Sequence, residues 1–358
     1  MPPPLHLAVE LDGDGAHPAA WRRSRHTPEQ SFVPGRVRQL VQHAENAGFT
    51  LATFDDSLLP PGGGVAGRIG AVERAAFAAA STSVLGLAPV VATTYTEPFH
   101  VASQLASLDF VSTGRAGWLV VTSPEPAVAA ALGRPVVGGE AALRREARDA
   151  VLVNRDLWDS WEDDAAIRDV ATGRYLDRTK LHYVDFVGET YSVKGPAIVP
   201  RPPQGQLVVF APAGLLPTDQ VDVELVTAAD VAGVAAAGTG AGLRFAEVEV
   251  ALDTAAAAAP DRLGALDAHA GRPATGRLRH VGSAAGLVAL LTELARVADG
   301  VRLHPLVLDD DLQELSARVL PALFEAGVAA RPVAGSTLRS TFGLPRPQNR
   351  FAAEEVSA

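Results

Sequence analysis

The chain alternates short apolar runs with longer segments whose apolar residues recur at helical spacing. In Pro34–Asn46 the apolar side chains fall on one helical face, and Gly48 follows as a stop signal. Further helices are predicted at about Ile69–Ala80 and Phe99–Leu108. The runs that predict the first four strands are Leu5–Leu11, Phe49–Phe54, Val84–Ala92 and Ala116–Val121. This alternation is typical of repeated βα units.

The second half of the chain continues the alternation. Its longest amphipathic segment predicts a helix at Glu140–Trp158, and a last helix is predicted at Asp310–Glu325. The predicted strands five to eight are Leu207–Phe210, Asp230–Ala235, Leu243–Ala251 and Val301–Val307. No GxGxxG follows the first strand, which argues against a dinucleotide-binding domain. Eight strands separated by helices therefore predict an α/β protein, a (β/α)₈ TIM barrel with insertions.

Two segments depart from this alternation. Trp161–Gln206 is rich in proline, glycine and charge and is too long for an ordinary connection. We interpret it as an insertion that packs over the barrel mouth. The stretch from Leu252 to Val281 is rich in alanine and glycine, which indicates a shortened excursion or a mobile loop. With these two features, residues 1–358 are expected to form one barrel domain.

Composition narrows the class of protein. Apolar residues make up 47% of the chain and charged residues 20%, so a large core can be buried. The net charge of −10 disfavours binding to nucleic acid or to an anionic membrane. No signal peptide is visible in Met1–Glu10, and no run approaches the roughly 18 apolar residues of a membrane span. We expect a soluble cytoplasmic protein.

Several chemistries lack support in the sequence. There is no cysteine, so disulfides, thiolate metal sites and cysteine nucleophiles are excluded. The nine histidines show no HxxxH or HExxH spacing, and no metal site is predicted. No GxSxG motif is present, which argues against an α/β-hydrolase. The acidic run from Glu162 to Asp164 is more typical of a solvated face than of an acid–base pair.

Five extended segments carry a resemblance to a known family. They are TTYTEPFHVA (Thr93–Ala102), ASLDFVSTGRAGW (Ala106–Trp118), LWDSWEDDA (Leu157–Ala165), GPAIVPRPPQGQ (Gly195–Gln206) and TLRSTFGLPRPQN (Thr337–Asn349). Together they resemble the flavin-dependent monooxygenases of the bacterial luciferase superfamily, in the branch of the nitrilotriacetate and dibenzothiophene-sulfone monooxygenases. Most of these residues also have structural explanations. Their tryptophans, Trp118, Trp158 and Trp161, are expected to pack in the core and the insertion.

The resemblance implies a cofactor, partners and a site. Reduced FMN from a separate flavin reductase would react with O₂ and oxygenate a small organic substrate, in a homo-oligomer (dimer or tetramer). Asp56 matches an aspartate beside the flavin, and Thr93 and Thr94 match a polar pair near the ring system. Hydrogen bonds from such short side chains tune a cofactor that carries the oxygen chemistry itself. Taken alone, Asp56 is more typical of a helix N-cap or of a solvated loop carboxylate.

Other positions depart from the family. Leu119 stands where the family has an asparagine near the flavin, and Glu140 and Arg144 stand where it has a histidine and a tyrosine. The family's Gly/Ser-rich phosphate turn is replaced by Ala211–Gln220, which lacks the serine and contains a proline in its place. Arg144 is our candidate phosphate partner, because guanidinium pairs well with phosphate. It fits equally a basic helical surface. No general base is named.

Three functions stay open at this point. The leading hypothesis is the monooxygenase, with FMN bound weakly because phosphate donors are missing. The alternative is a non-catalytic paralogue that keeps the barrel and has lost flavin binding, since four changes fall in one site. A deazaflavin-dependent hydride-transfer enzyme of the same superfamily is less favoured, because the quoted segments match the monooxygenase branch.

Overall fold

A central barrel of eight parallel strands dominates the computed structural model, which describes residues 3–60, 67–238, 240 and 242–354. The barrel strands are β1 (His6–Glu10), β2 (Leu51–Phe54), β3 (Gly86–Ala92), β4 (Gly117–Val121), β5 (Val208–Pro212), β6 (Val223–Val226), β7 (Leu243–Leu252) and β8 (Gly300–Pro305). The barrel closes where β1 pairs in parallel with β8, from His6 opposite Gly300 to Val9 opposite Leu303. The predicted (β/α)₈ TIM barrel is confirmed.

Helices surround this barrel and bury an apolar layer against the outer faces of the strands. They are α1 (Pro34–Ala47), α2 (Ala71–Ala79), α3 (Pro98–Val111), α4 (Pro126–Ala131), α5 (Glu140–Asp159), α6 (Val231–Ala236), α7 (Ala259–Asp267), α8 (Ala284–Leu294), α9 (Leu308–Glu314), α10 (Leu320–Glu325), α11 (Leu338–Thr341) and α12 (Arg350–Glu354). A π-helical turn, Leu315–Val319, joins α9 to α10, and single 3₁₀ turns lie at Ala20–Arg23, Pro28–Phe32 and Arg178–Lys180. Gly48 ends α1 with a φ of +98°, a left-handed conformation that glycine adopts without strain.

The prediction of the sixth strand was wrong. The structure forms β6 at Val223–Val226, whereas Asp230–Ala235 is largely helix α6. The Asp230 carboxylate accepts a hydrogen bond from the backbone N–H of Gly233 at 2.7 Å and so caps this helix. The local cap therefore outweighs the β-propensity of the valines that follow it.

The amino-terminal half of the barrel interior is packed solid. Its apolar side chains are Ala8, Leu51, Ala88, Val90, Leu119, Val208, Phe210, Val223, Leu225 and Phe245. The ring of Phe342, just after α11, closes this end: its centroid lies 4.8 Å from that of His6 and 5.4 Å from that of Phe245. The segment Thr337–Asn349, noted above as a family motif, thus contributes a plug for the barrel floor. Access to the interior is left to the carboxyl ends of the strands, which we call the mouth.

The insertion Trp161–Gln206 forms two short antiparallel hairpins, Ala166–Asp169 with Arg174–Leu176 and Phe186–Val187 with Ser192–Val193. The second hairpin lies against the outer side of the barrel helices, where Arg145 of α5 binds Glu189 at 3.0 Å. In the same hairpin, Val193 borders a groove that Phe99 of α3 also lines. Both contacts involve the first turns of α3 and α5, and the packing of the insertion over the mouth stays a prediction.

The alanine-rich excursion after β7 includes regular secondary structure. It contains α7 and a strand, Leu278–Gly282, that pairs with the second half of β7. Within the described ranges, no helix combines the length and the apolar character needed to cross a membrane. The single-domain assignment stays a prediction.

Candidate active site at the carboxyl ends of the strands

The carboxyl ends of β2, β3 and β4 border a pocket of about 380 Å³, which we call the β2–β4 pocket. Val90, Ala92 and Val121 supply an apolar wall from the strands. Polar groups at its rim include Asp56, Thr96, Gln104, Thr122 and Ser123. This size and this mixture of surfaces are typical of a site for a small molecule. In TIM-barrel proteins the reacting groups lie at this end.

Asp56 lines this pocket and also anchors a helix. Its Oδ2 accepts a hydrogen bond from the backbone N–H of Ala71, the first residue of α2, at 2.7 Å. Its Oδ1 accepts from the N–H of Ser57 at 2.8 Å. The N-cap residue of α2 is Gly70, so Asp56 binds the start of this helix from outside it and is not its N-cap. Its carboxylate remains half-buried at the pocket edge.

Thr93 and Thr94 follow β3 but face β4 rather than an open space. The Thr93 hydroxyl donates to the carbonyl of Val121 at 3.2 Å, and the Thr94 hydroxyl accepts from the N–H of Ser123 at 3.2 Å. Both residues are buried, and neither is among the described residues that line the pocket. Their hydroxyls tie the ends of β3 and β4 together and so fix the shape of the pocket wall.

Tyr95 continues this segment with a φ of +68°, which is uncommon for a residue other than glycine. Its hydroxyl accepts a hydrogen bond from the backbone N–H of Val137 at 3.0 Å, which ties the loop after α4 to the end of β3. Strained residues of this kind concentrate at functional sites.

Leu119 lies one layer below the pocket, inside the barrel. It pairs in register with Val90 on β3 and with Phe210 on β5, and its side chain is 2% exposed. An apolar side chain at this depth supplies packing and no hydrogen bond.

Glu140 and Arg144 lie on the exposed first turns of α5. The Arg144 guanidinium donates to the Glu140 carboxylate at 2.5 Å across one helical turn. Their side chains are 76% and 53% exposed, and neither is among the described residues that line the β2–β4 pocket. Arg144 is thus already engaged with a carboxylate.

In the turn after β5, two backbone N–H donors are already bonded, one to β6 and one within the turn. The N–H of Ala213 donates to the carbonyl of Leu225 at 3.0 Å, and the N–H of Leu215 donates to the carbonyl of Pro212 at 3.0 Å. Pro217 has no N–H to offer. Leu216 is buried, so this turn presents few groups to an anion.

A buried ionic network, which the sequence analysis missed, fills the other side of the mouth. Arg302 on β8 bonds to Glu10, to Glu247 at 2.8 Å and to the Thr53 hydroxyl at 3.0 Å. His304 contacts Glu247 at 3.2 Å. The signal was available, because charged residues two apart within apolar strands (AEVEV and RLHP) indicate inward-facing positions.

These carboxylates are held ionised by their partners. Burial alone would raise the pKa of Glu10, but the charges of Arg302 and His304 outweigh it and lower that pKa below its usual range. Burial is likewise outweighed at Glu247, where Arg302 and a hydrogen bond from His304 hold the pKa well below normal. The pKa of His304 is lowered by burial and then by Arg302.

The side-chain carboxylate of Asp55 is not bonded to this network, although its backbone is. Its backbone N–H donates to Glu10 at 2.8 Å and its carbonyl accepts from Arg74, so its position is fixed at both ends. Among the described residues, none donates a hydrogen bond to its carboxylate. Burial raises its pKa to about 6, and the carboxylates of Glu10 and Asp12 add to the shift. The mouth therefore holds a carboxylate that titrates near neutral pH.

Residues 16–296 match the family model described as luciferase-like monooxygenase, which is most of the chain. The chain belongs to the luciferase-like monooxygenase family. The nitrilotriacetate monooxygenase component A of Aminobacter aminovorans is 45% identical over 130 residues, 36% of this chain and 28% of the relative. The dibenzothiophene-sulfone monooxygenase of Rhodococcus erythropolis (strain XP) is 37% identical over 230 residues, 60% of this chain and 50% of the relative. The recognised family and branch are confirmed.

The solved structures that resemble this luciferase-like chain support its fold. A riboflavin lyase crystallised with modified FMN and riboflavin superposes with a TM-score of 0.82 at 22% identity, covering 97% of both chains. By contrast, the matched part of this chain spans about half the length of the curated relatives.

Proposed function

We propose that this luciferase-like chain is a flavin-dependent monooxygenase that oxygenates a small organic substrate with O₂, using reduced FMN from a separate flavin reductase. The observation that carries the proposal is a small-molecule pocket at the mouth of a barrel that belongs to this family. The monooxygenase names of the relatives support the reaction class.

The ring system of a flavin suits the β2–β4 pocket. Val90, Ala92 and Val121 offer an apolar wall, and the rim offers hydroxyl and amide groups. Asp56, Thr93 and Thr94 are the proposed flavin neighbours, the first at the rim and the threonines through the strand ends that they join. A bound reduced flavin would supply the reaction with O₂. The chain's own task is to orient the substrate and exclude water.

The proposed phosphate partners offer few free hydrogen-bond donors to the phosphate of FMN. Three backbone N–H donors of the turn at 211–220 are bonded within the fold, and the proposed partner Arg144 is paired with Glu140. Hydrogen bonds to a charged group are worth about 1.5–3 kcal/mol each. Two missing donors would weaken binding by roughly 10²- to 10⁴-fold. We therefore propose that FMN binds weakly, and we derive no step through its phosphate.

The same observation favours the second candidate, a non-catalytic paralogue. A chain that has lost flavin binding would keep the barrel, and the pairing of Arg144 with Glu140 would then be a surface ion pair worth little.

Calorimetric titration of the purified full chain with oxidised and anaerobically reduced FMN separates the two. Measurable binding that weakens in Arg144→Ala supports the flavin enzyme and the phosphate partner. The matched control is Arg145→Ala, because Arg145 also pairs with a carboxylate, Glu189. Tight binding that ignores Arg144→Ala would show that the phosphate lies elsewhere. No binding of either form would favour the paralogue.

A homo-oligomer, dimer or tetramer, and a single domain over residues 1–358 remain part of the proposal. Light scattering of the purified chain measures the first. Limited proteolysis tests the second, since one barrel domain would lose surface loops before its core.

A further inference from the structure

The charged residues that line the β2–β4 pocket are of one sign. They are Asp56, Glu73 and Glu125, and no basic residue is among the described residues of the lining. Glu73 and Glu125 are exposed and have no hydrogen bond or ion pair to another described side chain.

Arginines near the pocket offset this charge only in part, because most of them are bonded to carboxylates. Arg68 and Arg74 bind Asp12 at 3.0 and 2.7 Å. Arg302 lies between Glu10 and Glu247. On α5 the pairs are Arg144 with Glu140, Arg145 with Glu189 and Arg148 with Asp149.

Asp55 adds to the surplus of negative charge. Its carboxylate precedes Asp56 in the chain and has no bonded cation among the residues that the structure covers. The carboxylates of Glu10 and Asp12 act on it strongly enough to appear, after burial, among the causes of its raised pKa. The charges within the described lining of the pocket are therefore carboxylates. Around it, Arg68 and Arg74 share the single carboxylate of Asp12, and Arg134, in the turn after α4, has no ion pair among the described residues.

We propose that the β2–β4 pocket selects an uncharged flavin, so that riboflavin binds at least as tightly as FMN. This inference rests on the proposed function, because it takes a flavin to be the ligand. A phosphate monoester carries about −1.5 to −2 charges at pH 7, and here it would meet carboxylates instead of free donors. The ring and the neutral ribityl chain meet no such penalty.

Ionic strength distinguishes this pocket from an ordinary phosphate site. At a basic site, added salt screens an attraction and weakens the binding of FMN. At the β2–β4 pocket, salt screens a repulsion, because the Debye length shrinks from about 30 Å at 0.01 M to about 10 Å at 0.1 M. The affinity for FMN should therefore rise with salt, and that for riboflavin should stay unchanged.

The experiment titrates the full chain with riboflavin and with FMN and follows the quenching of flavin fluorescence. It is run at 0.01 M and at 0.1 M salt, where the Debye length is about 30 Å and about 10 Å. We expect the Kd of FMN to be equal to or larger than that of riboflavin, and to fall as salt is added. FMN binding at least tenfold tighter than riboflavin, or FMN binding that salt weakens, would overturn the inference.

Two charge-neutralising variants test the cause. Glu73→Gln and Glu125→Gln should each tighten FMN binding by roughly 2- to 5-fold, as expected for screened surface charges, and leave riboflavin within experimental error. Glu140→Gln should also help FMN alone, since it frees Arg144. Glu293→Gln, on the exposed face of α8, is the matched control and should change neither ligand. An FMN affinity that ignores both pocket variants would overturn the charge argument.

The outcomes also separate this inference from the proposed function. Tight, salt-weakened FMN binding would refute uncharged-flavin selection and leave the flavin monooxygenase standing. Binding of neither flavin would remove both proposals together and favour the non-catalytic paralogue.

Discussion

Replacing Arg302 with methionine should lower the free energy of unfolding by about 3–5 kcal/mol, because it leaves buried carboxylates without their cation. Arg302 is 6% exposed, and Glu10 and Glu247, which it joins, are 8% and 6% exposed. Methionine fills part of the volume and offers no donor. Glu247 would keep Arg277 at 3.1 Å, so the larger penalty falls on Glu10.

Urea denaturation of Arg302→Met and the parent measures this loss. Arg25→Met is the control: Arg25 also bonds to a carboxylate, Asp310 at 2.9 Å, but its side chain is 63% exposed. A surface pair of this kind contributes about 0–1 kcal/mol. If both variants lost the same small amount, the argument from burial would be refuted.

Lowering the pH should reduce the difference in unfolding free energy between the parent and Arg302→Met. In the parent, Glu10 has a lowered pKa, so its contribution to stability is present above the unfolded value and is lost as pH falls. Without Arg302, burial would raise that pKa, and protonation would relieve the penalty. The deficit should therefore shrink from pH 8 to pH 5, and Glu10→Gln added to Arg302→Met should recover part of it at pH 8. A deficit that does not change with pH would contradict this account.

Three further changes test the mouth by chemical denaturation. Asp55→Asn should stabilise the chain at pH 8 by up to about 3 kcal/mol, since a pKa raised to about 6 makes the parent lose stability as pH rises from about 4 to 6. The gain should vanish at pH 4, and an equal gain at both pH values would contradict this explanation. Asp56→Ala should cost about 1 kcal/mol by removing the N–H acceptor at the start of α2, whereas Asp56→Asn, which keeps an acceptor oxygen, should cost less. Gly15→Ala should cost at least about 2 kcal/mol, because its Cβ would lie 2.6 Å from the carbonyl oxygen of Leu306 at a φ of +125°. Gly13→Ala, where nothing lies within 4 Å, should cost less, and equal losses would show that contact is not the cause.

Local patterns predicted most of the barrel, because an apolar run between turn residues has few alternatives to a strand. They failed at strand six, where the four residues VELV carry a glutamate and the stronger apolar run nearby is capped by Asp230 as a helix. The insertion was recognised by its length, but no local pattern indicated that its segments pair as two short hairpins.

The site was less predictable for a physical reason. Asp56 lines the pocket, but the sequence suggested an N-cap, whereas its carboxylate binds the start of α2 from outside the helix. The ionic network was not predicted. The sequence indicated inward-facing charges, but barrel closure decides which of them meet, since Glu10 is on the first strand and Arg302 on the last. The pairing of Arg144 with Glu140 could have been predicted, because opposite charges four residues apart on a predicted helix are neighbours, but Arg144 was judged by its alignment to the family alone.

The plug at the barrel floor has a consequence for how the protein is made. Strands β1 and β8 must meet, and Phe342 must reach His6, before the interior is sealed from water. These contacts join residues that are far apart in the chain, so the nascent polypeptide cannot complete the barrel until Phe342 has left the ribosome. During synthesis the earlier strands wait with an unpaired edge, a state in which other chains can add to it. Chaperone dependence during translation should therefore exceed that of the released, refolding chain.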